Sequence, residues 1–384
     1  MESMTNFKYK LNGTHDEHFK DDYTCQIDNN FIIDDGKITT RKYFPINEHK
    51  NYNNKYMVEL SDLPNCFCTT EVGLMVPNQY IRDLDKIKFD IEIGGNRIDG
   101  NNNLLVFMML NPKMKFENGS YYISLTHNIL DNNNPLFWMG CFRNVIRIFF
   151  TFGDSMDKEL INQYIVYVDY RIKESSCTDH NVKMYDDVKS PLIKKKIFQN
   201  QYTDESSHAI NKTKNFQKYK LTFNFPTHYF YLYWDDYLDH LKNITFYFNN
   251  TEINTVDVSK LKLNNNDFFE AINNDSLSYQ NTIKQNLNLL PKSIVEFVLM
   301  PYLYNTHETF DTNKVIYVIK IDPNFDPNNY NFKTQTINLS RIDSQIICVE
   351  TDQIDINTMF HIGCLSSNIL QQFRLGVTYP YFNN

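Results

Sequence analysis

Positions 86–93 alternate without interruption between charged and apolar residues, and this pattern constrains the fold more than any other feature of the chain. The apolar positions are Ile87, Phe89, Ile91 and Ile93, and the charged positions are Lys86, Lys88, Asp90 and Glu92. Only a strand with one buried face places every second side chain on the same side. The segment therefore predicts a half-buried β-strand.

Two adjacent glycines, Gly94 and Gly95, follow this strand and allow two interpretations, a phosphate-binding loop or a turn between strands. A phosphate loop passes directly into a helix whose N-terminal N–H groups meet the anion. The chain instead continues as NRIDGNNN, and no Gly-Lys-Ser/Thr sequence follows. Glycine adopts the positive φ angles of a tight reversal without steric cost. We therefore predict a strand reversal at Gly94 and Gly95, with Asp99 setting the start of the next strand.

Strand patterns recur along the chain, whereas helical patterns are few. Period-two alternation returns at 164–172, 219–225 and 244–248, and the short β-branched segment 315–321 also predicts a strand. The apolar stretch 135–152 predicts a pair of strands. Short helical turns are expected only within 152–163, 187–199 and 274–287. Many short strands separated by Asn-rich loops are typical of sandwiches and barrels. The sequence thus predicts an all-β protein with few short helices.

Length and composition favour two domains. The chain has 384 residues, more than most single domains contain, and 15% of them are aromatic, which favours strands. A polar, weakly patterned segment, 173–216, separates clean strand patterns on either side. We predict a first domain over 1–172, a linker over 173–216 and a second domain over 217–384. The first ~20 residues are expected to form an arm.

Charge and hydropathy exclude several classes of protein. The formal net charge is −8 and no basic stripe stands out, which argues against direct binding of nucleic acid. Arg143 and Arg147 interrupt the most apolar stretch and argue against a membrane span. The N-terminal MESMTNFKYKLNG lacks the apolar core of a secretory signal. Seven cysteines without a second close pair predict reduced, mostly buried thiols in a cytosolic setting.

Three groups of side chains are candidates for chemistry. Asp235, Asp236, Asp239 and His240 could bind a metal or act as acid and base, but a solvated loop explains them better. Cys177, Asp179 and His180 provide too few ligands for zinc. The aromatic run 228–234 could stack sugars, although core or interface packing is favoured. Catalytic and phosphate-binding motifs are missing from the sequence, so we expect no catalytic residue, no metal, no cofactor and no enzyme.

Six segments follow one another in an order that is familiar from one protein family. They are DKIKFDIEIGGNRID with Gly94, Gly95 and Asp99, YYISLTHNILDNNNPLFWMGCFRNVIRIFFTF, IVYVDYRI with Asp169, YKLTFNFPTHYFYLYW with Pro226 and Trp234, INLSRIDSQIICVE with Arg341 and Asp343, and FHIGCLSSNILQQFRLGVTYPYFNN. In this order the chain resembles the double jelly-roll major capsid proteins of nucleocytoplasmic large DNA viruses. Arg341 and Asp343 are expected on one face of a strand, where they would form a local pair or reach a neighbouring subunit.

The resemblance implies two tandem antiparallel jelly-roll sandwiches and a structural protein of the virion. Such a chain would form a homotrimeric, pseudo-hexameric capsomer that tiles an icosahedral shell and is assembled in the host cytoplasm. Its partners would be copies of itself, neighbouring capsomers and minor capsid proteins. Any contact with an inner membrane or a scaffold would run through other proteins.

Departures from the family pattern leave the role within this group open. Phe225 stands where the family has His, and KESSCTDHNVK replaces the family's acidic and arginine-rich run. A double jelly-roll scaffold or minor capsid protein is therefore the alternative to the main shell protein. A carbohydrate-binding jelly-roll module or a cupin-like enzyme is the third hypothesis, and it predicts a His-rich cluster or a groove of exposed aromatic rings.

Overall fold

The structure is a computed structural model, and it shows two β-sandwiches that follow one another along the chain. It describes residues 26–27, 38–48, 55–61, 63, 66–110, 114–126, 145–156, 158–172, 191–204, 209–212, 215–254, 258–263, 314–325, 335–352, 358–373 and 378–380. All strand pairs are antiparallel. We call the two sandwiches the first roll and the second roll.

The first roll consists of two five-stranded sheets, each named here by one central strand. The β11 sheet has the order β2 (Ile38–Pro45), β11 (Ile165–Ile172), β5 (Cys66–Pro77), β9 (Ser120–Ser124) and β8 (Met114–Glu117). The β10 sheet has the order β3 (Asn47–Glu48), β4 (Lys55–Leu60), β10 (Ile146–Phe152), β6 (Ile87–Ile93) and β7 (Asn96–Asn103).

The second roll repeats this plan. The β22 sheet has the order β1 (Gln26–Ile27), β12 (Pro191–Asp204), β22 (Phe360–Phe373), β15 (Pro226–Trp234), β19 (Ile316–Lys320) and β18 (Lys262–Leu263), while β20 (Ile337–Asn338) pairs with β15 and β23 (Thr378–Pro380) with β22. The β21 sheet has the order β13 (Ala209–Lys212), β14 (Phe216–Lys220), β21 (Gln345–Thr351), β16 (Leu241–Phe248) and β17 (Thr251–Asn254).

Strand order is the same in both rolls. The path β2-β11-β5-β9 corresponds to β12-β22-β15-β19, and β4-β10-β6-β7 corresponds to β14-β21-β16-β17. In each roll the chain visits these eight strands in the same sequence. Two four-stranded sheets connected in this way are a jelly roll. The predicted fold class, an all-β protein with two tandem antiparallel jelly rolls and few short helices, is confirmed.

The alternation that predicted β6 is what builds the core of the first roll. Ile87, Phe89, Ile91 and Ile93 are each 1% exposed or less, and the charged residues between them lie on the outer side of the sheet. Ile244, Phe246 and Phe248 of β16 point into the core of the second roll in the same way. The strands predicted at 164–172, 244–248 and 315–321 are confirmed as β11, β16 and β19.

The helices in the described part of the chain are short. They are Leu104–Leu110 and Lys158–Ile161, with 3-10 helices at Asn78–Lys86, Val258–Leu261 and Leu339–Arg341. The helix Leu104–Leu110 was not predicted, because its apolar run is buried on all sides and therefore shows no helical period. Asn103 begins it, since its Oδ1 accepts a hydrogen bond from the Val106 N–H at 3.2 Å. Lys158–Ile161 lies within the predicted turn 152–163.

Three predictions that involve residues 187–225 differ from the structure. The helical turn expected at 187–199 is wrong from Pro191 onward, where β12 pairs with β22 along its length. Cross-strand hydrogen bonding outweighs the local preference of its Lys-rich sequence. β12 and β13 lie within the predicted linker 173–216 but belong to the sheets of the second roll. The strand predicted at 219–225 ends at Lys220. The turn at 274–287, the first strand of the pair at 135–152, the N-terminal arm and the stretch 173–190 lie outside the described residues, and the domain bounds stay a prediction.

Candidate interaction surface

Strand β15 sends its aromatic side chains into two different apolar clusters. Phe230, Leu232 and Trp234 belong to the core of the second roll. Tyr229, Tyr231 and Tyr233 point to the opposite side of the sheet and belong to the cluster that also contains the core of the first roll. Every residue of β15 is buried. The aromatic run 228–234 is therefore core and interface, and the sugar-stacking interpretation of these rings is wrong.

The contact between the rolls combines this aromatic layer with polar bonds. Lys314 of the second roll forms an ion pair with Asp85 of the first at 3.1 Å. The same ammonium lies 4.5 Å from the centre of the Tyr237 ring. Tyr237 also hydrogen-bonds Asn103, although burial dominates and raises the pKa of the phenol. The two rolls thus form one packed body along this boundary.

A chain of hydrogen bonds runs along the second roll's side of the boundary. His361 on β22 bonds Tyr202 of β12 through Nδ1 and Asp235, which follows β15, through Nε2. The ring of Tyr233 stacks on His361 with centroids 4.8 Å apart. Burial of Asp235 opposes its ionisation, but the bond and charge of His361 outweigh this and lower the pKa of the carboxyl. These hydrogen bonds fix the relative positions of the neighbouring ends of β12, β22 and β15.

A polar cleft of about 550 Å³ separates the outer faces of the β10 and β22 sheets. On the first roll, Arg97 contacts Asp90 at 2.5 Å, and Lys55 lies 4.0 Å from the same carboxylate. Gln199, Gln201 and Tyr202 line the opposite wall. All three residues belong to the β10 sheet, so the charge of Asp90 is balanced by two cations within the first roll.

One row of paired residues in each roll contains a glycine beneath a tyrosine ring. In the first roll the row runs Tyr43, Tyr167, Gly73 and Ser124 across β2, β11, β5 and β9. In the second it runs Tyr202, Gly363, Tyr231 and Val318 across β12, β22, β15 and β19. A Cβ on Gly73 or on Gly363 would lie 2.3 Å from the Tyr167 or Tyr231 ring. We call these the glycine–tyrosine rows; paired side chains lie on the same face of a sheet, here the outer one.

The outer face of the β11 sheet is held together by a charge cluster. Arg41 donates two hydrogen bonds to the Asp169 carboxylate, at 2.6 and 2.7 Å. This guanidinium also lies 5.0 Å from the Tyr122 ring and 4.6 Å from the Tyr167 ring. Asp169 and, more weakly, Tyr43 favour the charged form and raise the pKa of Arg41 against burial. The row's remaining tyrosine, Tyr43, is 48% exposed.

Two of the segments that carry the family resemblance meet at the start of β15. Phe225 adopts a positive φ of 70°, which is rare for an aromatic residue. Its N–H donates to Ser340 Oγ at 2.8 Å, and its carbonyl accepts from the Leu339 N–H at 3.0 Å. Gln345 Nε2 donates to the Phe223 and Leu339 carbonyls. The SRID segment therefore holds the strained residue before Pro226 in place.

The structure places the sequence-predicted residues as follows. Gly94 and Gly95 form the turn between β6 and β7 with φ of 57° and 85°. Asp99 lies in β7 opposite Ile91, but its side chain is outside the described part. Pro226 begins β15, and Trp234 ends it in the core of the second roll.

The expectation for Arg341 and Asp343 is wrong in its geometry. Leu339–Arg341 is a 3-10 helix and Asp343 lies in the bend after it, so the two exposed residues share no strand face. Asn338 begins this helix by accepting the Ser340 N–H.

Each of the acidic candidate residues is hydrogen-bonded to a different partner. Asp236 bonds His240 at 2.7 Å, Asp239 accepts from the Tyr317 hydroxyl, and Asp235 bonds His361. Among the described residues, no three His, Cys, Asp or Glu side chains converge as metal ligands. Cys177, Asp179 and His180 lie outside that part of the chain. No helix in the described ranges is long and apolar enough to span a membrane.

Sequence reasoning missed the two glycine–tyrosine rows and Arg41. A lone glycine inside a strand pattern often marks a close approach of another group. Gly73 in CTTEVGLMV and Gly363 in FHIGCLS both carry this signal. Arg41 offers none, because its partner Asp169 is 128 positions away.

Comparisons with known proteins agree with this architecture. No family model and no curated protein sequence matches the chain. The VP54 structure of PBCV-1, fitted into a reconstruction of the virophage Sputnik, aligns with a TM-score of 0.56 at 13% identity, over 90% of this chain and 97% of that one. A quasi-atomic model of the PBCV-1 virus capsid gives 0.57 at 14% identity, with the same coverage. At such identities the likeness shows the double jelly-roll fold alone.

Proposed function

We propose that this chain is a structural protein of a viral capsid and that three copies form a pseudo-hexameric capsomer that tiles an icosahedral shell. The observation that carries the proposal is the repetition of one roll, with the same strand order, twice in a single chain. Three such chains supply six similar units around one axis. The fold is shared with capsid structures of PBCV-1 over 90% of this chain.

Polar contacts among the described residues serve structural roles, which a shell protein requires. Tyr202, His361 and the Gln345 side-chain N–H group are hydrogen-bonded to protein atoms, and these bonds fix strands and loops. The tyrosine layer and the ion pairs likewise serve packing between the rolls. The partners of this protein would be further copies of the chain, neighbouring capsomers and minor capsid proteins. It would be found in the virion, after assembly in the host cytoplasm.

Sedimentation of the purified full chain at micromolar concentration tests the proposal. We expect a species of three times the 45.7 kDa chain mass, seen as six-sided particles by electron microscopy. Monomers under low, intermediate and high salt would contradict it.

A scaffold or minor capsid role uses the same fold, and the departures at Phe225 and after β11 favour keeping it as the second candidate. Mass spectrometry of purified virions separates the two roles. A dominant shell protein is abundant in mature particles, whereas a transient scaffold is absent from them.

A further inference from the structure

The polar cleft between the rolls follows the edge of a strand. Four consecutive residues of β12, 199–202, line it. Because neighbouring residues of a strand point to opposite faces, a wall of four in a row indicates the strand's edge. On its other edge β12 pairs with β22. In the described part of the chain no strand pairs with the cleft edge at 199–202. Such an edge offers backbone N–H and C=O groups to a further strand.

Nearer the start of β12, the same edge already carries a strand. β1 pairs with it antiparallel, with Gln26 opposite Lys194. In an antiparallel ladder each step toward the N-terminus of one strand is a step toward the C-terminus of the other. Continuing this register from Gln26 places position 21 opposite Gln199 and position 18 opposite Tyr202. The direction of β1 therefore leads the chain toward the cleft.

The charges of the cleft and of the sequence before β1 are opposite in sign. The charged residues that line the cleft are Lys55, Arg97 and Asp90, two cations and one carboxylate. Positions 16–22, DEHFKDD, contain four carboxylates and one lysine. The Lys55 and Arg97 side chains are 43% and 57% exposed, so both cations are accessible to a further partner. Opposite charges across a contact favour association and fix its register.

Hydrogen bonds hold the second roll's wall of the cleft in shape. Gln201 accepts the Asn224 N–H through Oε1 at 2.8 Å. Its Nε2 group donates to the Asn224 carbonyl and to Ser366 Oγ. Gln199 accepts from Asn368 Nδ2 at 3.0 Å. This wall is therefore formed before anything enters the cleft, and binding there requires little ordering of the rolls.

We propose that positions 18–25 of this chain continue β1 along the edge of β12 and fill the cleft between the rolls. Residues 1–25 lie outside the described part of the chain. The segment adds backbone hydrogen bonds to β12 and brings acidic side chains to Lys55 and Arg97, so it joins the second roll to the first. Its covalent link to β1 gives it a high effective concentration at the cleft, which favours it over a second copy or another protein. The contact is independent of the proposed capsid role.

Proline substitution tests whether this ladder forms. Phe19→Pro with Lys20→Pro removes two neighbouring N–H groups, and one of them must donate to β12 because hydrogen-bonded pairs alternate along a ladder. The readout is hydrogen exchange of the peptic fragment that contains 199–202, measured by mass spectrometry on the full chain. We expect amides that exchange slowly in the unmodified chain to exchange about tenfold faster or more in this variant. Asn6→Pro with Phe7→Pro is the matched control and should leave their exchange unchanged.

Charge exchange tests the side chains that meet in the cleft. Position 22 lies an even number of residues from position 18, so it falls on the strand face that Tyr202 turns toward the first roll. Arg97→Glu and Asp22→Lys should each speed the exchange of the 199–202 fragment by about threefold, because each places like charges together. The chain with both changes should exchange slowly again. Fragments from β16 should be unchanged in every variant, which shows that the rolls remain folded.

Two results would overturn the proposal. Equal exchange of 199–202 in the unmodified chain, the double-proline variant and its control would show that the segment does not pair with β12. Slow exchange that is lost on dilution of the unmodified chain would assign the cleft to a segment of a second copy. Neither result bears on the capsid role, which sedimentation of the unmodified chain tests separately.

Discussion

The outer faces of the β11 and β22 sheets share a strand order and a glycine–tyrosine row, but they are stabilised in different ways. In the β22 sheet the tyrosine is Tyr231 on β15 and the glycine is on β22. In the β11 sheet the roles are exchanged, with Tyr167 on β11 and Gly73 on β5. The first roll packs against Tyr231, whereas Arg41 and the Tyr122 ring pack against Tyr167.

This difference shows how one fold serves two surfaces. A face that is always covered within the chain can carry tyrosines at successive outer positions of a central strand, as β15 does with Tyr229, Tyr231 and Tyr233. A face that is not covered in this way keeps an Arg–Asp pair, which remains favourable in contact with water. The β11 sequence IVYVDYRI still alternates, while the β15 sequence PTHYFYLYW does not. The sequence of each strand thus reflects whether one or both of its faces are covered.

High pH should produce the largest effect, and it should affect both rolls. Burial raises the pKa of Tyr164 and Tyr167 in the first roll and of Tyr233 and Tyr237 in the second. A raised pKa contributes stability that is present below the unfolded value near 10 and is lost as pH rises toward the folded value. Each buried tyrosine should lower the free energy of unfolding by about 1.4 kcal/mol per pH unit above that point.

Urea unfolding between neutral pH and pH 11, followed by tyrosinate absorbance, measures this loss. If the rolls are equivalent in this respect, they unfold in one transition with cooperative tyrosine ionisation. Two separated ionisation steps would show that one roll is much less dependent on buried tyrosine than the other.

Substitution of Tyr231 and of Tyr167 compares a ring that is covered by the first roll with a ring that is covered by Arg41 and Tyr122. Tyr231→Ala leaves a cavity between the rolls and should lower the free energy of unfolding by about 3–5 kcal/mol. Tyr167→Ala should lower the free energy of unfolding by less, because the Arg41 side chain is 30% exposed and can move into the gap. Denaturant unfolding of both variants provides the comparison. Equal losses in the free energy of unfolding would mean that the charge cluster over Tyr167 adjusts to a cavity no better than the first roll does over Tyr231.

These rows also show where sequence reasoning ends. The alternation over 86–93 predicted β6 and its buried residues because a single strand contains the whole signal. The tyrosines of β15 were assigned to core or interface, but the sequence could not tell which ring goes to which side. That depends on the contact between the rolls, and its residues are far apart in the chain. β12 was missed for the same reason, since pairing with β22 stabilises it against its local preference.

The candidate surface was less accessible to prediction than the fold. Asp169 and Trp234 were identified through the resemblance, but their roles became clear only from their neighbours, Arg41 and Phe360. Arg341 and Asp343 were expected on one strand face because they lie two positions apart, whereas the cap formed by Asn338 begins a 3-10 helix there. A short polar cap decides such local structure, and the spacing of two residues is too weak a signal to predict a strand against it.

Adding a methyl group to the row glycines should have an intermediate effect. The three atoms nearest to a Cβ on Gly363 all belong to the Tyr231 side chain, whereas a Cβ on Gly73 would also lie 2.4 Å from the Ile123 carbonyl oxygen. Backbone yields less readily than a ring, so Gly73→Ala should be the more harmful of the two. Both changes should lower the free energy of unfolding by about 1–3 kcal/mol.

Thermal unfolding of the two alanine variants checks this order, with Gly95→Ala as a control. Gly95 has no atom within 4 Å of its Cβ position, so its cost arises from its positive φ alone. If Gly363→Ala lowered the stability more than Gly73→Ala, the boundary between the rolls would be packed more tightly than the β5–β9 pair.

The smallest effect is expected from the charge cluster of the β11 sheet. Asp169→Asn removes the charge that Arg41 bonds twice but keeps the shape of the side chain. The two side chains are 15% and 30% exposed, so the pair lies between a surface ion pair and a buried one. We expect a loss of about 1 kcal/mol, because the Arg41 guanidinium keeps its contacts with the Tyr122 and Tyr167 rings and gains water. Near-ultraviolet circular dichroism should change with it, since Asp169 orients the cation that covers Tyr167.

Asp352→Asn is the matched control, because Asp352 pairs with Lys242 at 2.5 Å and both side chains are more than half exposed. This substitution should leave the stability unchanged. A loss from Asp169→Asn as large as that from Tyr231→Ala would show that the ion pair, and not packing, holds this face, and the two rolls would then differ more deeply than their shared strand order indicates.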